Sequence, residues 1–231
     1  MSAVSLWFPE GGPRRAARST RPLVLCAAGR PVPLLDRPEQ WGTWRHHLLL
    51  PALDGRMSLL RTTISAPHAA VVRFGEISDR TSIFLNGQPV GVLHSELNDR
   101  AVSLRDANGE LTILAEGTGL ADVTLDGTPV TGWDVMPLLL GRPVTVRPDR
   151  NVPVSGPVFR RATFTTHEPD DLVLDTSGWG CGVVWVNGHD LGHYGSRTPL
   201  HVLREALKAG SNELVVFETG VPADLTARFS A

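Results

Sequence analysis

Apolar residues in this chain come in short alternating runs. Ala69–Glu76 (AAVVRFGE), Ser82–Leu85 (SIFL), Glu110–Ala115 (ELTILA), Gly182–Val186 (GVVWV) and Glu213–Phe217 (ELVVF) follow the period of β-strands. Helical spacing is confined to His201–Leu207 (HVLREAL), which predicts about two turns of helix ending before Ala209-Gly210. Between the runs lie turn signals. Asn86-Gly87, Asp126-Gly127 and Asn187-Gly188 supply the positive φ angles of a two-residue hairpin turn, and Asn108-Gly109 and Asp54-Gly55 are further candidates. The pattern predicts an all-β chain of short strands and tight turns.

The runs also repeat. SIFLNGQPVGVL from Ser82 parallels VVWVNGHDLGHY from Val183, each reading strand, Asn-Gly, two residues, an aliphatic residue and Gly. RTTI from Arg61 parallels RATF from Arg161, and NGELTILAEG from Asn108 parallels SNELVVFETG from Ser211. These blocks recur in the same order at a nearly constant offset, which indicates two copies of one β-sandwich. The Pro/Gly-rich stretch Pro148–Pro157 is the natural linker. The expected division is an N-terminal segment at 1–50, a first sandwich at 51–147 and a second at 148–231. The second copy is short for a sandwich of the usual ~100 residues, so the first segment is a candidate for an added edge strand, or else a loosely ordered arm.

Composition narrows the function classes. With 231 residues, 42% hydrophobic and 20% charged, the chain can bury real cores. A formal net charge of −2 gives no electrostatic reason to expect nucleic acid or an anionic membrane. No stretch is apolar enough to span a bilayer. The N-terminal MSAVSLWFPEGGPRR lacks the charged-then-apolar order of a secretory signal, which favours a cytoplasmic protein. Two cysteines, Cys26 and Cys181, form no disulfide framework and read as buried thiols.

The segment DTSGWGCGVVWVNGHDLGHYGSRTPLHVLREALKAGSNELVVFE (Asp175–Glu218) resembles the last domain of family-35 β-galactosidases. The resemblance rests on Trp179-Gly180, Val184-Trp185-Val186-Asn187-Gly188, Leu191-Gly192 with Tyr194, and the Asn212-Glu213 strand. Residues from Leu60 to Trp133 resemble that family's preceding β domain, through Arg61-Thr62, Asp79-Arg80, Asn86-Gly87, ELTILAEGTG and Trp133. The chain departs from the family at Cys181, where Lys is usual, at His193 (Arg), at Gly195 (Trp), at Arg197-Thr198-Pro199 (Gly-Pro-Gln) and at Gly119-Leu120-Ala121-Asp122. The family's catalytic glutamate pair belongs to a (β/α)₈ barrel of about 250 residues. Nothing here alternates strand with helix in that way, so no residue inherits those roles.

What remains are candidate binding residues. His189 and His193 have the spacing of a zinc-binding helix. They follow an Asn-Gly turn, however, and on a strand residues four apart lie roughly 13 Å from each other, so neither metal nor cofactor is expected. His167, Glu168, Asp170, Asp171 and Asp175 read as a solvated loop with turn-forming side chains, with acid/base work in a cleft as the alternative. Parity puts Val183 and Trp185 on one face of their strand and Val184 and Val186 on the other. Both faces are apolar, so Trp185 reads as core. Trp179, in a Ser-Gly-Trp-Gly turn, reads as an exposed aromatic face with His193 as its favoured partner. The full set of expected ligand residues is Trp179, His189, His193, Trp133 at the inter-domain seam, Arg80, Asn86 and Glu116.

The sequence thus predicts two antiparallel jelly-roll, galactose-binding-like β-sandwich domains in tandem. The leading expectation is a non-catalytic carbohydrate-binding or accessory protein, whose partner is a glycan, a small molecule or a barrel-type enzyme. The alternatives are a stand-alone small-molecule enzyme (cyclase, lyase or isomerase type) in the cleft of the sandwiches, and a structural subunit completing a separately encoded glycosidase barrel. No nucleic-acid or membrane partner is expected.

Overall fold

Strands make up nearly all of the regular structure in the computed structural model, which describes residues 23–24, 32–36, 38–53, 56–140, 157–195, 199–220 and 226–230. The first segment carries β1 (Leu23–Val24), β2 (Val32–Pro33) and β3 (Arg45–His47). Then come β4 (Met57–Ser65), β5 (Ala70–Arg73), β6 (Arg80–Leu85), β7 (Gln88–His94), β8 (Ala101–Leu104), β9 (Asn108–Glu116), β10 (Thr124–Leu125), β11 (Thr128–Pro129) and β12 (Trp133–Pro137). The last stretch holds β13 (Val158–Thr166), β14 (Leu172–Asp175), β15 (Gly182–Val186), β16 (His189–Tyr194), β17 (Leu200–Val202), β18 (Gly210–Glu218) and β19 (Thr226–Ser230). Cys26, the Asp54-Gly55 turn and the expected linker, apart from Pro157, lie outside the described residues.

The strands form four antiparallel sheets, and the sheets come in matching pairs. One large sheet has the order β3-β12-β4-β9-β6-β7, the other β16-β15-β18-β13-β2. The small sheets run β11-β10-β5-β8 and β1-β19-β14-β17. Within them β4-β9-β6-β7 corresponds to β13-β18-β15-β16, and β10-β5-β8 to β19-β14-β17. The sequence repeat is therefore a repeat of topology, and the architecture is two β-sandwiches in tandem.

The first segment supplies strands to both sandwiches. β2 pairs with β13 where β12 pairs with β4 in the first copy, and β1 pairs with β19 where β11 pairs with β10. Strands that the first copy takes from its own chain are thus supplied to the second copy from the N-terminal segment. β3 joins the first sandwich at the free edge of β12.

Alternation along each strand sorts the side chains into layers. Leu60, Ile83, Leu111, Ile113 and Trp133 face β5 and β8 across the first sandwich, packing on Val72, Val102 and Leu104. Val184, Val186, Leu214 and Val216 face Leu172, Leu174, Val202 and Phe229 across the second. The outward faces of the two large sheets are apolar as well. Met57, Leu59, Phe84 and Leu114 of the first meet Phe159, Val183, Trp185, Val215 and Phe217 of the second, with Leu34 and Trp41 filling in from the N-terminal segment. Trp41, Phe159 and Phe217 stack successively at 3.9 and 4.3 Å. The Trp185 indole N–H donates to the Leu140 carbonyl at 2.9 Å. The four sheets form a stack in which the two large ones lie back to back, and the parity reading of Trp185 as core is correct.

Two sequence expectations change. His201–Leu207 is not a helix: Leu200–Val202 is strand β17, paired with β14, and only Arg204–Ala206 makes a 3-10 turn. Leu200 and Val202 are buried while His201 is exposed, so strand alternation satisfied the core where helical spacing also fitted. Asn108-Gly109 is not a turn either. It opens β9 opposite Ser65 and Ile64.

Asn86-Gly87, Asp126-Gly127 and Asn187-Gly188 are hairpin turns, with φ of 50° and 75°, 48° and 84°, and 49° and 82° respectively. Each Asn also ties its hairpin to the neighbouring strand. The Asn86 Oδ1 accepts the Glu110 N–H at 3.0 Å, and the Asn187 Oδ1 accepts the Glu213 N–H at 2.9 Å. In both hairpins the return strand carries one extra residue, Val90 or Leu191, just before a glycine. A β-branched residue at Gly188 must hold a positive φ that costs about 1–2 kcal/mol. Gly188→Val is expected to lower Tm by a few degrees in a thermal melt, and an unchanged Tm would remove the turn assignment.

Candidate functional site

Of the residues singled out from sequence, the structure brings Arg80 and Glu116 together and disperses the rest. Trp179 does not present an exposed face. It is 3% exposed, its N–H donates to the Thr226 carbonyl at 3.0 Å, and its ring meets Tyr194 edge-on at 5.2 Å. The Gly-flanked turn folds the indole inward because the open end of the second core offers apolar contact and an acceptor for its N–H. Its aromatic neighbour is Tyr194, not His193. His189 and His193 are both exposed on β16, with the extra residue Leu191 between them. Trp133 is fully buried in the inner core of the first sandwich, away from the seam, and donates to the Val130 carbonyl. Asn86, at the far end of β6 from Arg80, is engaged in holding its hairpin.

The polar groups of the seam are largely sealed. The Arg80 Nη1 donates to Glu116 Oε1 at 3.0 Å and, across the seam, to the Thr219 carbonyl at 2.7 Å. Both side chains of the ion pair are mostly buried, at 14% and 13% exposure. Cys181 occupies in the second copy the position of Arg80 in the first. Its sulfur lies 3.4 Å from the Thr219 hydroxyl, and burial pushes the thiol pKa up.

Beside it Glu218 is 2% exposed, yet its carboxylate is fully partnered. It accepts the N–H groups of Gly180 at 3.1 Å, Cys181 at 3.0 Å and Gly220 at 2.7 Å, and the Tyr194 hydroxyl at 2.9 Å. This is a structural anion at the end of the core, with its lone pairs already in use. It suits neither a general acid nor a nucleophile.

Other polar clusters satisfy themselves too. Asp134 accepts from Arg61 Nε at 3.2 Å and lies 2.9 Å from His46 Nδ1. The His46 hydrogen bond first, and then Arg61, hold its carboxyl below the usual range. Arg61 in turn lies over the Trp44 ring at 4.2 Å. Asp171 caps the turn at Arg204, and Asp175 accepts the Ser177 N–H. Among the described residues no group of three His, Cys, Asp or Glu side chains could hold a metal ion. Nor, among them, is any helix long and apolar enough to cross a membrane.

An open site lies instead at the rim of the first sandwich. A cleft of ≈ 450 Å³ is lined by Arg56, Ile77, Ser78, Asp79, Gly117, Thr118 and Gly119. Arg56 precedes β4, Ile77–Asp79 lead into β6, and Gly117–Gly119 follow β9. Ser78 is 1% exposed and its hydroxyl has no partner. Arg56 and Asp79 are exposed. Sequence reasoning passed over Ser78 and Arg56, because only the depth of the fold distinguishes a buried orphan hydroxyl from a loop serine.

Tyr194 carries a pH signature. Burial first, then the negative charge of Glu218, holds its phenol far above the ordinary value of 10.0. A group that ionises more readily in the unfolded chain stabilises the fold below its ordinary pKa. That stability is lost as pH rises, at about 1.4 kcal/mol per pH unit. Stability should therefore fall above pH 10, and Tyr194→Phe should flatten the fall. The chain has one tyrosine, so tyrosinate absorbance reports this residue alone. It is expected to appear only with unfolding. Titration near pH 10 in the folded protein would show the phenol to be accessible.

Comparison with known proteins bears on both halves. Residues 157–212 match the family "Beta-galactosidase, galactose-binding domain". A β-galactosidase of Xanthomonas manihotis is 30% identical over 164 residues, covering 62% of this chain and 27% of that one. A β-galactosidase of Mus musculus is 27% identical over 186 residues, covering 63% and 29%, and β-galactosidase 17 of Arabidopsis thaliana is 28% identical over 202 residues, covering 65% and 29%. Among solved structures, the apo Pleurotus ostreatus lectin aligns over 92% of this chain and 78% of its own, with 14% identity and a TM-score of 0.26, too low to carry an argument. The chain spans less than a third of the length of these curated relatives. It is similar to the β-sandwich region of β-galactosidases, and its residues 157–212 match their galactose-binding domain.

Proposed function

We propose that this protein is a non-catalytic carbohydrate-binding or accessory module related to the β-galactosidases. Its working units are a first sandwich at 51–147 and a second at 148–231, with strands of residues 1–50 joining both. The observation that carries this reading is the match of residues 157–212 to a galactose-binding domain. The chemistry of the described residues supports it. The Arg80–Glu116 pair is committed to the seam, and Glu218 and Tyr194 are committed to each other. Recognition is left to loops at a sandwich rim, where a rigid β scaffold commonly carries it.

The test is a binding and a turnover measurement on the same preparation. Calorimetric titration with a panel of galactose, lactose and galactan oligosaccharides is expected to give saturable binding to at least one member. Incubation with a chromogenic galactoside is expected to release no more product than buffer. Turnover above that control would overturn the non-catalytic half of the reading, and absence of binding to the entire panel would overturn the carbohydrate half.

A further inference from the structure

We infer that the rim cleft of the first sandwich is a binding site for a neutral pyranose, with Ser78 at its floor and Asp79 and Arg56 on its walls. The inference deepens the carbohydrate-binding reading and rests on it. It places the ligand in the first copy, outside the segment that matches the galactose-binding domain.

The argument begins with what fills the same place in the second copy. The hairpin asparagines fix the correspondence, since the Asn86 N–H bonds the Glu110 carbonyl and the Asn187 N–H bonds that of Glu213. Counting back from the asparagines pairs Arg80 with Cys181, Asp79 with Gly180 and Ser78 with Trp179. Counting forward from the glutamates pairs Ala115 with Glu218 and Gly117 with Gly220. In the second copy the Trp179 indole and the Glu218 carboxylate occupy this end of the core, and Glu218 gathers the N–H groups of Gly180, Cys181 and Gly220. In the first copy a hydroxymethyl and a methyl group stand in their places. Ser78, the counterpart of Trp179, is the one of the two that lines the cleft, so the open space lies beside the position an indole fills in the second copy.

Ser78 places a polar group beneath the cleft: its hydroxyl is buried to 1% without a partner, which is costly to keep. Glycine keeps the wall clear. Gly117 has φ of +102°, and a Cβ there would come 3.2 Å from the Asp79 carboxylate, while one on Gly119 would lie 3.1 Å from the Ile77 carbonyl.

The lining then selects the ligand. A carboxylate accepts from adjacent hydroxyls, a guanidinium donates to ring or hydroxyl oxygens, and the Thr118 hydroxyl does either. One cation and one anion cancel, so the cleft favours neither a phosphate nor an amine. Its ≈ 450 Å³ lies within the ordinary range of small-molecule sites and accommodates a hexose.

The experiment titrates wild type, Ser78→Trp, Asp79→Asn and Arg105→Gln with methyl β-galactoside by calorimetry. Ser78→Trp gives the first copy the residue that fills the second. Arg105 is exposed on a loop away from the cleft and serves as the control. Ser78→Trp and Asp79→Asn are each expected to weaken binding at least tenfold, and Arg105→Gln to leave it within twofold. If Ser78→Trp does not fold, Asp79→Asn, a change at an exposed side chain, decides alone. Binding within twofold of wild type in Asp79→Asn, or in folded Ser78→Trp, overturns the site and leaves the carbohydrate reading standing. No binding of this probe by wild type also overturns the site. Whether the reading falls with it is then read from the glycan panel, so the two failures are distinct.

Discussion

The constraint on which this structure depends is that its two large sheets are apolar on both faces. A sheet with one apolar face is satisfied by a single covering layer, whereas one with two must be sandwiched. β15 states the problem in five residues. Val184 and Val186 point into the second sandwich, and Val183 and Trp185 point out of it. Laying the two sheets back to back removes both outer faces from water at once, and each buried Phe, Leu or Met contributes about 1.5–3 kcal/mol. The remaining features accommodate that contact. Leu34 and Trp41 fill its margin, the Leu140 carbonyl takes the Trp185 N–H, and Arg80 closes the rim with a hydrogen bond to the opposite copy. The halves meet through equivalent faces, as in a twofold dimer whose subunits happen to share one chain.

Much of this was legible in the sequence, because the controlling signals were local. Asn-Gly pairs fix hairpins through backbone geometry. The repeat was visible since each copy retains its turn residues, and strand parity alone assigned both faces of β15. What was not legible depends on partners distant in the chain. Trp179 reads as exposed because its neighbours are Gly and Ser, and its burial depends on Tyr194 and the Thr226 carbonyl. Leu200, Val202 and Leu207 fit both helical and strand spacing, and only pairing with β14 decided between them. The candidate site divides in the same way. Arg80 and Glu116 were marked by their motifs, and the fold pairs them with each other at the seam, while the openness of the cleft beside Ser78 is a property of what fails to fill it.

Duplication explains how such a difference arises without harm to the fold. The hairpins, the extra residue before glycine and the asparagine bonds to the neighbouring strand are kept in both copies, because each is needed to build a sandwich. The end of the core is a freer position. The second copy closes it with an indole and a fully hydrogen-bonded carboxylate. The first leaves it small and polar, and braces the adjoining strands with an ion pair instead. A stable scaffold tolerates that change because the cost is confined to one rim.

The strands contributed by the first segment bear on how the protein must be made. Leu23 lies beside Ala227, and Val32 beside Phe159, so the second sandwich is bounded by strands far apart in sequence. During synthesis the first copy can complete its sheets as it emerges, whereas the second waits for β19 after β1 and β2 have already been made. Contacts so far apart in sequence close slowly. Until the second copy covers it, the outer face of the first is an apolar sheet, the kind of surface through which partly folded chains associate.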